Sequence, residues 1–151
     1  MRTTQILALA LFLLPAACKM PSEQRVPLPD QSLTVSRSDW TRIYFVRDDD
    51  TVVQNLPVRV TDQETEIGKL TEDTYLCWER PAGRTLGRVW YDAIDPSRGK
   101  LEGIADLNCS AGRAFYFNVR IGKEDGRPIV TELGAEEGRQ LVASRKPAGK
   151  P

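Results

Sequence analysis

From Arg42 to Leu133 the chain is a series of short runs favouring extended backbone, each closed by a turn signal. Arg42-Ile43-Tyr44-Phe45-Val46-Arg47 alternates roughly and is rich in β-formers. Asp48-Asp49-Asp50 ends it, because three adjacent carboxylates repel inside a sheet. Pro57–Thr61 and Glu64–Leu70 read as two arms of a hairpin around Asp62-Gln63, and Thr74–Glu79 as the next strand. Pro81-Ala82-Gly83 turns the chain into Thr85–Tyr91; Asp95–Gly99 turns it again into Lys100–Cys109. After Ser110-Ala111-Gly112 comes the clearest strand, Ala114–Arg120, then a loop from Gly122 to Arg127 and a short strand, Pro128–Leu133. Ala135–Val142 reads as a short amphipathic helix weakened by Gly138, and Lys146–Pro151 as a frayed tail. Seven or eight short strands with turns between them predict a mainly-β protein, an antiparallel β-sandwich with a short C-terminal helix.

The first 17 residues follow a different grammar. Arg2 and the free amine precede an apolar run, Ile6 to Leu14, and small Ala16 and Ala17 precede Cys18. This is the order of a secretory signal. The run is about half the ~20 residues that span a bilayer, and no later stretch does better. A thiol at the first mature position is what a diacylglycerol thioether needs, and the segment resembles a bacterial lipobox. Pro15 stands where that motif usually has Leu. Cys18 is therefore the expected lipidation site; an ordinary secreted protein cut near Ala17 is the alternative. Several acyl chains would make attachment nearly permanent, at about 0.8 kcal/mol per buried methylene. Residues 19–31 carry Pro21, Pro27 and Pro29 among polar residues and read as a tether. The expected organisation is a signal peptide over 1–17, a lipidated N-terminus and tether over 18–38, a β-sandwich over 39–145 and a tail over 146–151. Lys19, rather than Asp, follows the cysteine, which in enteric sorting directs a lipoprotein to the outer membrane, facing the periplasm.

In an oxidising envelope compartment, Cys77 and Cys109 are left as a pair once Cys18 is lipidated. A bridge between them would close a loop of about 33 residues and contribute about 3–4 kcal/mol in the chain-entropy view. The alternative is two buried thiols.

The chain has 21 Lys and Arg against 21 Asp and Glu, and residues 1–17 contain only Arg2 among them. The balance argues against the clustered basic excess that nucleic-acid binding needs. Histidine is absent, which removes Ser-His and Cys-His nucleophile pairs and the commonest metal ligand. Two lone cysteines without a C-x-x-C spacing make no metal site, and nothing implies a cofactor. Asp92, Asp95, Glu102 and Asp106 are the remaining carboxylate candidates, with no spacing that sets two of them across a substrate. Phe45, Phe115 and Phe117 read as core. Trp78 and the Trp90-Tyr91 pair either pack or stack on a sugar or protein partner. Tyr116, Asn118 and Arg120 line the opposite face of their strand from Phe115, Phe117 and Val119. Trp78, Trp90, Tyr91, Tyr116, Asn118 and Arg120 are thus the candidate contact surface.

From Trp40 onward the order of motifs resembles a family of small bacterial lipoproteins built around a domain of unknown function. Its opening "r-IY-x-x-R" strand is matched by Arg42–Arg47, its "iGkL" element by Ile67-Gly68-Lys69-Leu70, and its "Y" strand by Thr74-Tyr75. Its "PG" turn is matched by Pro81-Ala82-Gly83, with an alanine inserted. Its "aGk-x-Yyf-x-v" strand is matched by Ala111–Val119 and its "eeG-x-x-l" tail by Glu136–Leu141. The cysteine pair and the longer Tyr91–Leu101 connection depart from the pattern. The resemblance implies a PEGA-like β-sandwich and brings no catalytic residues with it. The expected role is a non-enzymatic binding or structural module, lipid-anchored in the bacterial envelope, with a protein complex or peptidoglycan as partner. A carboxylate enzyme and a plug or inhibitor acting through the Tyr91–Leu101 loop are the alternatives.

Overall fold

The structure, a computed structural model, describes residue 35 and residues 37–48 and 56–148. The expected signal segment, Cys18, most of the expected tether and Asp49-Asp50 lie outside the described residues. Among the described residues, nine strands and one α-helix run in the order β1 (Trp40–Arg47), β2 (Val58–Asp62), β3 (Thr65–Leu70), β4 (Thr74–Pro81), β5 (Gly83–Asp92), β6 (Lys100–Cys109), β7 (Ala114–Ile121), β8 (Pro128–Leu133), α1 (Ala135–Ala143) and β9 (Lys146–Pro147). They form two sheets: five-stranded sheet A, ordered β8-β7-β1-β4-β9, and four-stranded sheet B, ordered β3-β2-β5-β6. The protein is a mainly-β, two-sheet sandwich with one short C-terminal helix.

Local sequence explains most of this. Strand β1 is central in sheet A, and all eight of its residues are buried. Its run Ile43-Tyr44-Phe45-Val46 fills both faces, as a strand covered on both sides must. Strand β5 shows the opposite logic, alternating buried and open positions along its length. The inter-sheet core packs Ile43, Phe45, Trp78, Phe117 and Val119 of sheet A on Val60, Val89 and Leu107 of sheet B. Phe45 meets Trp78 edge-on at a centroid separation of 5.1 Å. Gly103 closes the β6–β8 side of the sandwich: a Cβ there would stand 2.1 Å from the Pro128 carbonyl oxygen, so only glycine allows the approach.

One polar knot crosses the core. Asp62, fully buried, accepts hydrogen bonds from Trp78 Nε1 (3.1 Å) and Thr85 Oγ1 (3.2 Å), and Arg80 Nε lies 3.2 Å from its Oδ2. The hairpin thus turns one residue later than expected, at Gln63-Glu64, because Asp62 is the last residue of β2 and points inward.

Three expectations need correction. Pairing is not purely antiparallel: β1 runs parallel to β7, and β4 parallel to β9. The segment from Lys146 is not a frayed tail at its start, since Lys146 and Pro147 add to the edge of β4, with Lys146 N–H donating to Asp73 O at 3.1 Å. The Cys77–Cys109 bridge is not formed, and both side chains are buried. The reason is strand alternation. Leu76 and Trp78 of β4 face the inter-sheet core, so Cys77 faces the other way, among Tyr44, Tyr75 and Tyr116, whereas Cys109 lies inside the core.

That outward face of sheet A is covered by α1. Glu136 and Glu137 sit in the helix's first turn, where carboxylates suit the dipole. The helix seats Val142 and Gly138 on the sheet, and a Cβ on Gly138 would lie 2.2 Å from Tyr116 Cγ. Under and beside it, Tyr44 stacks on Tyr116 at 4.9 Å, and Arg42 pairs with Glu79 at 2.7 Å with almost no side-chain exposure. Burial, reinforced by the neighbouring Cys77, pushes the Tyr44 phenol well above its ordinary range; burial also raises Tyr75 and Tyr116.

Candidate functional site

The expected contact residues do not converge. Trp78 is core, fully buried. Tyr91 is buried too, its hydroxyl donating to the Gly126 carbonyl at 2.5 Å. Tyr116 lies beneath α1, Asn118 is half-buried on that same face, and only Arg120 in that row is exposed. Trp90 stands alone on the far side of the molecule, half-buried on the outer face of sheet B.

The outer face of sheet B carries no covering element among the described residues. Register builds it row by row. Lys69, Arg59, Trp90 and Glu102 lie side by side across β3, β2, β5 and β6; Glu66, Thr61, Arg88 and Ile104 form the next row; Leu86 and Asp106 follow. The Trp90 ring is met by cations from both neighbouring strands: Arg59 of β2 at 5.1 Å and Lys100 of β6 at 4.3 Å from its centroid. Leu86 and Ile104 expose 44% and 55% of their surface, an apolar component that a solvated sheet face does not require.

Charge on this face is mostly paired. Arg59 meets Glu66 at 3.3 Å and Arg84 meets Asp106 at 2.5 Å. Glu102 is shared, with Lys100 at 3.1 Å and Arg88 at 3.4 Å. Partial burial pushes the Glu102 carboxyl up, but the hydrogen bonds and charges of Lys100 and Arg88 outweigh it and hold the group below its usual range. Arg84 does the same for Asp106, and the Ser97 side chain and backbone do so for Asp95. A general acid needs a shift in the opposite direction. Between Arg88, Trp90, Lys100 and the β2–β3 turn lies an open groove of about 540 Å³.

Two other surface features lie apart from this face. A groove of about 510 Å³ beside the start of α1 holds Arg113, Glu132 and Arg139, but Arg139 is engaged by Glu136 at 2.6 Å. At one end of the sandwich the Tyr91–Leu101 loop is braced by Ala93 N–H on Gly99 O (2.9 Å) and by Arg98 on the Asp125 carbonyl, and it presents Ile94 at 81% exposure. Among the described residues no group of His, Cys, Asp and Glu could hold a metal ion, and no helix is long and apolar enough to cross a membrane.

Sequence reasoning singled out Trp90 on this face but missed Arg59, Arg88, Lys100, Leu86 and Ile104. Their signal was present as alternation: Leu86, Arg88 and Trp90 fall on one face of β5, and Lys100, Glu102 and Ile104 on the matching face of β6. No protein-family model matches the chain, and no curated protein matches it. A solved structure described as the NMR structure of the protein from Eubacterium rectale shares 13% identity over 65% of this chain and 92% of its own, with a TM-score of 0.40. A likeness of that degree assigns no function.

Proposed function

We propose that this chain is a lipid-anchored protein of the bacterial envelope that acts by binding rather than catalysis, and that its contact surface is the outer face of sheet B. The observation that carries the reading is the asymmetry of the sandwich. One outer face is sealed by α1, while the other is left bare with Trp90, Leu86 and Ile104 among paired charges. The lipobox-like segment ending at Cys18, the proline-bearing tether and the resemblance to small bacterial lipoproteins support the location. An envelope protein or the peptidoglycan wall is the partner in view.

Two measurements test it. Mass spectrometry of the membrane form should find Met1–Ala17 removed and residue 18 acylated; an uncut leader on a freely soluble chain sinks the anchor. A photo-crosslinking residue at position 104 should trap envelope material in cells, and one at position 120, on the other sheet, should not. Equal trapping at both positions, or none at either, removes the assignment of the face.

The exposure of Ile94 on a braced loop favours one second reading, a plug acting through Tyr91–Leu101. Under it, Ile94→Asp abolishes partner capture while changes at Ile104 do not.

A further inference from the structure

Resting on the binding role just proposed for sheet B, we infer that the groove beside Trp90 takes an acidic sugar chain, one whose rings bear carboxylate groups. The first argument is charge. Arg88 and Lys100 share the single carboxylate of Glu102, which leaves the pair one positive charge in excess at the groove's edge. Trp90 holds that charge in place: Lys100 lies over its ring, so the cation is aimed by a rigid platform instead of trailing in solvent. An anion arriving there gains a charge-assisted contact with a positioned guanidinium and ammonium.

The second argument is what else lines the groove. A site for a bare anion has no use for a carboxylate of its own, yet Glu64 faces the same space. Glu64 accepts hydrogen bonds only, and it would repel a simple polyanion while receiving the hydroxyls of a sugar. Leu86, 44% exposed, offers the apolar contact that a sugar's C–H face takes. Cation, acceptor and apolar patch together suit a ring carrying acid, hydroxyl and hydrocarbon edges. The Trp90 ring itself is occupied by cations, so this site is distinct from a bare aromatic stacking platform for neutral sugars.

The test is a titration of the purified full-length chain with polygalacturonate, against dextran and poly-glutamate. Polygalacturonate should bind, more weakly as salt rises, and dextran should not. The double variant Arg88→Gln/Lys100→Gln should lose about tenfold or more in affinity with an unchanged melting temperature, and Arg88→Lys should retain most of it. Glu64→Gln should weaken polygalacturonate and strengthen poly-glutamate, a reversal that a generic basic patch cannot produce. Absence of polygalacturonate binding overturns the inference, as do equal affinity for poly-glutamate or indifference to the double variant. If polygalacturonate fails while crosslinks from position 104 persist, the acidic sugar is wrong and the binding face stands; if both fail, the face itself is wrong.

Discussion

The two outer faces of this sandwich are built on the same alternation and have opposite fates. On sheet A, the outward residues of β1, β4 and β7 are Tyr44, Tyr75, Cys77 and Tyr116, sealed in a second small core with Val142 of α1. On sheet B, the outward residues of β2, β5 and β6 are Arg59, Arg88, Trp90 and Glu102, tied to one another and to Glu66 by ion pairs and a cation–ring contact on an open face. The ion pairs differ accordingly. Arg42 and Glu79 retain 4% and 1% of their side-chain exposure, whereas Arg84 and Asp106 retain 75% and 47%. The same chemistry is structural on one face and exchangeable on the other, because the desolvation of a charge, not its contact distance, decides what its loss costs.

The largest effect should come from Glu79→Ala. It removes the carboxylate held against a buried guanidinium, and denaturant unfolding should show a loss of about 3–5 kcal/mol. A loss below about 1 kcal/mol would mean that the covered face is as wet as the open one. Next comes Gly138→Ala. The new methyl would collide with Tyr116, so α1 must lift, at about 1–3 kcal/mol. Alkylation of Cys77, under the helix, should then accelerate while Cys109 stays protected between the sheets; equal acceleration of both would mean global loosening instead.

A pH titration separates the faces further. Burial raises Tyr44, Tyr75 and Tyr116 above the ordinary 10.0, and pushes the Cys109 thiol from 9.0 up to about 12. For such acids the neutral form favours the fold. Their stabilisation is complete below the unfolded value and is lost as pH rises from there toward the folded one. The melting temperature should therefore hold through neutrality and fall above about pH 9, with tyrosinate absorbance appearing only as the chain unfolds. Glu102 and Asp106 run the other way: held low, they support the open face above 4.5 and 3.8 and lose that support as acid is added. Free titration of the tyrosines near 10.0 in the folded state would erase the contrast. The smallest effect is expected from Asp106→Ala, whose ion pair lies in solvent; its melting temperature should match the parent's.

Much of the strand order was legible. Eight of the nine strands lie where alternation and turn residues place them, and α1 was visible despite Gly138. The face assignment of β7 was half right: Phe117 and Val119 do enter the inter-sheet core, but Tyr116 points to a helix, not to water. In sequence, an amphipathic strand looks the same whether a helix or solvent lies over its polar-looking side. Tyrosine, amphipathic itself, fits both. The cysteine pair failed for a similar reason. Counting thiols in a compartment says how many could join, and only alternation along β4 says that Cys77 and Cys109 face different layers.

Chain chemistry alone settled the short strands, the turns and the lack of histidine chemistry, because backbone preference and side-chain type act over a few residues. It also set Cys18 behind an apolar run, Ile6 to Leu14. Long-range packing settled the rest: that β1 lies parallel to β7, that Lys146 and Pro147 return to the edge of β4, and that α1 covers sheet A and leaves sheet B bare. Those outcomes depend on which apolar surfaces meet across long stretches of chain. Burial is a property of the assembled layers, and no local run of residues carries it.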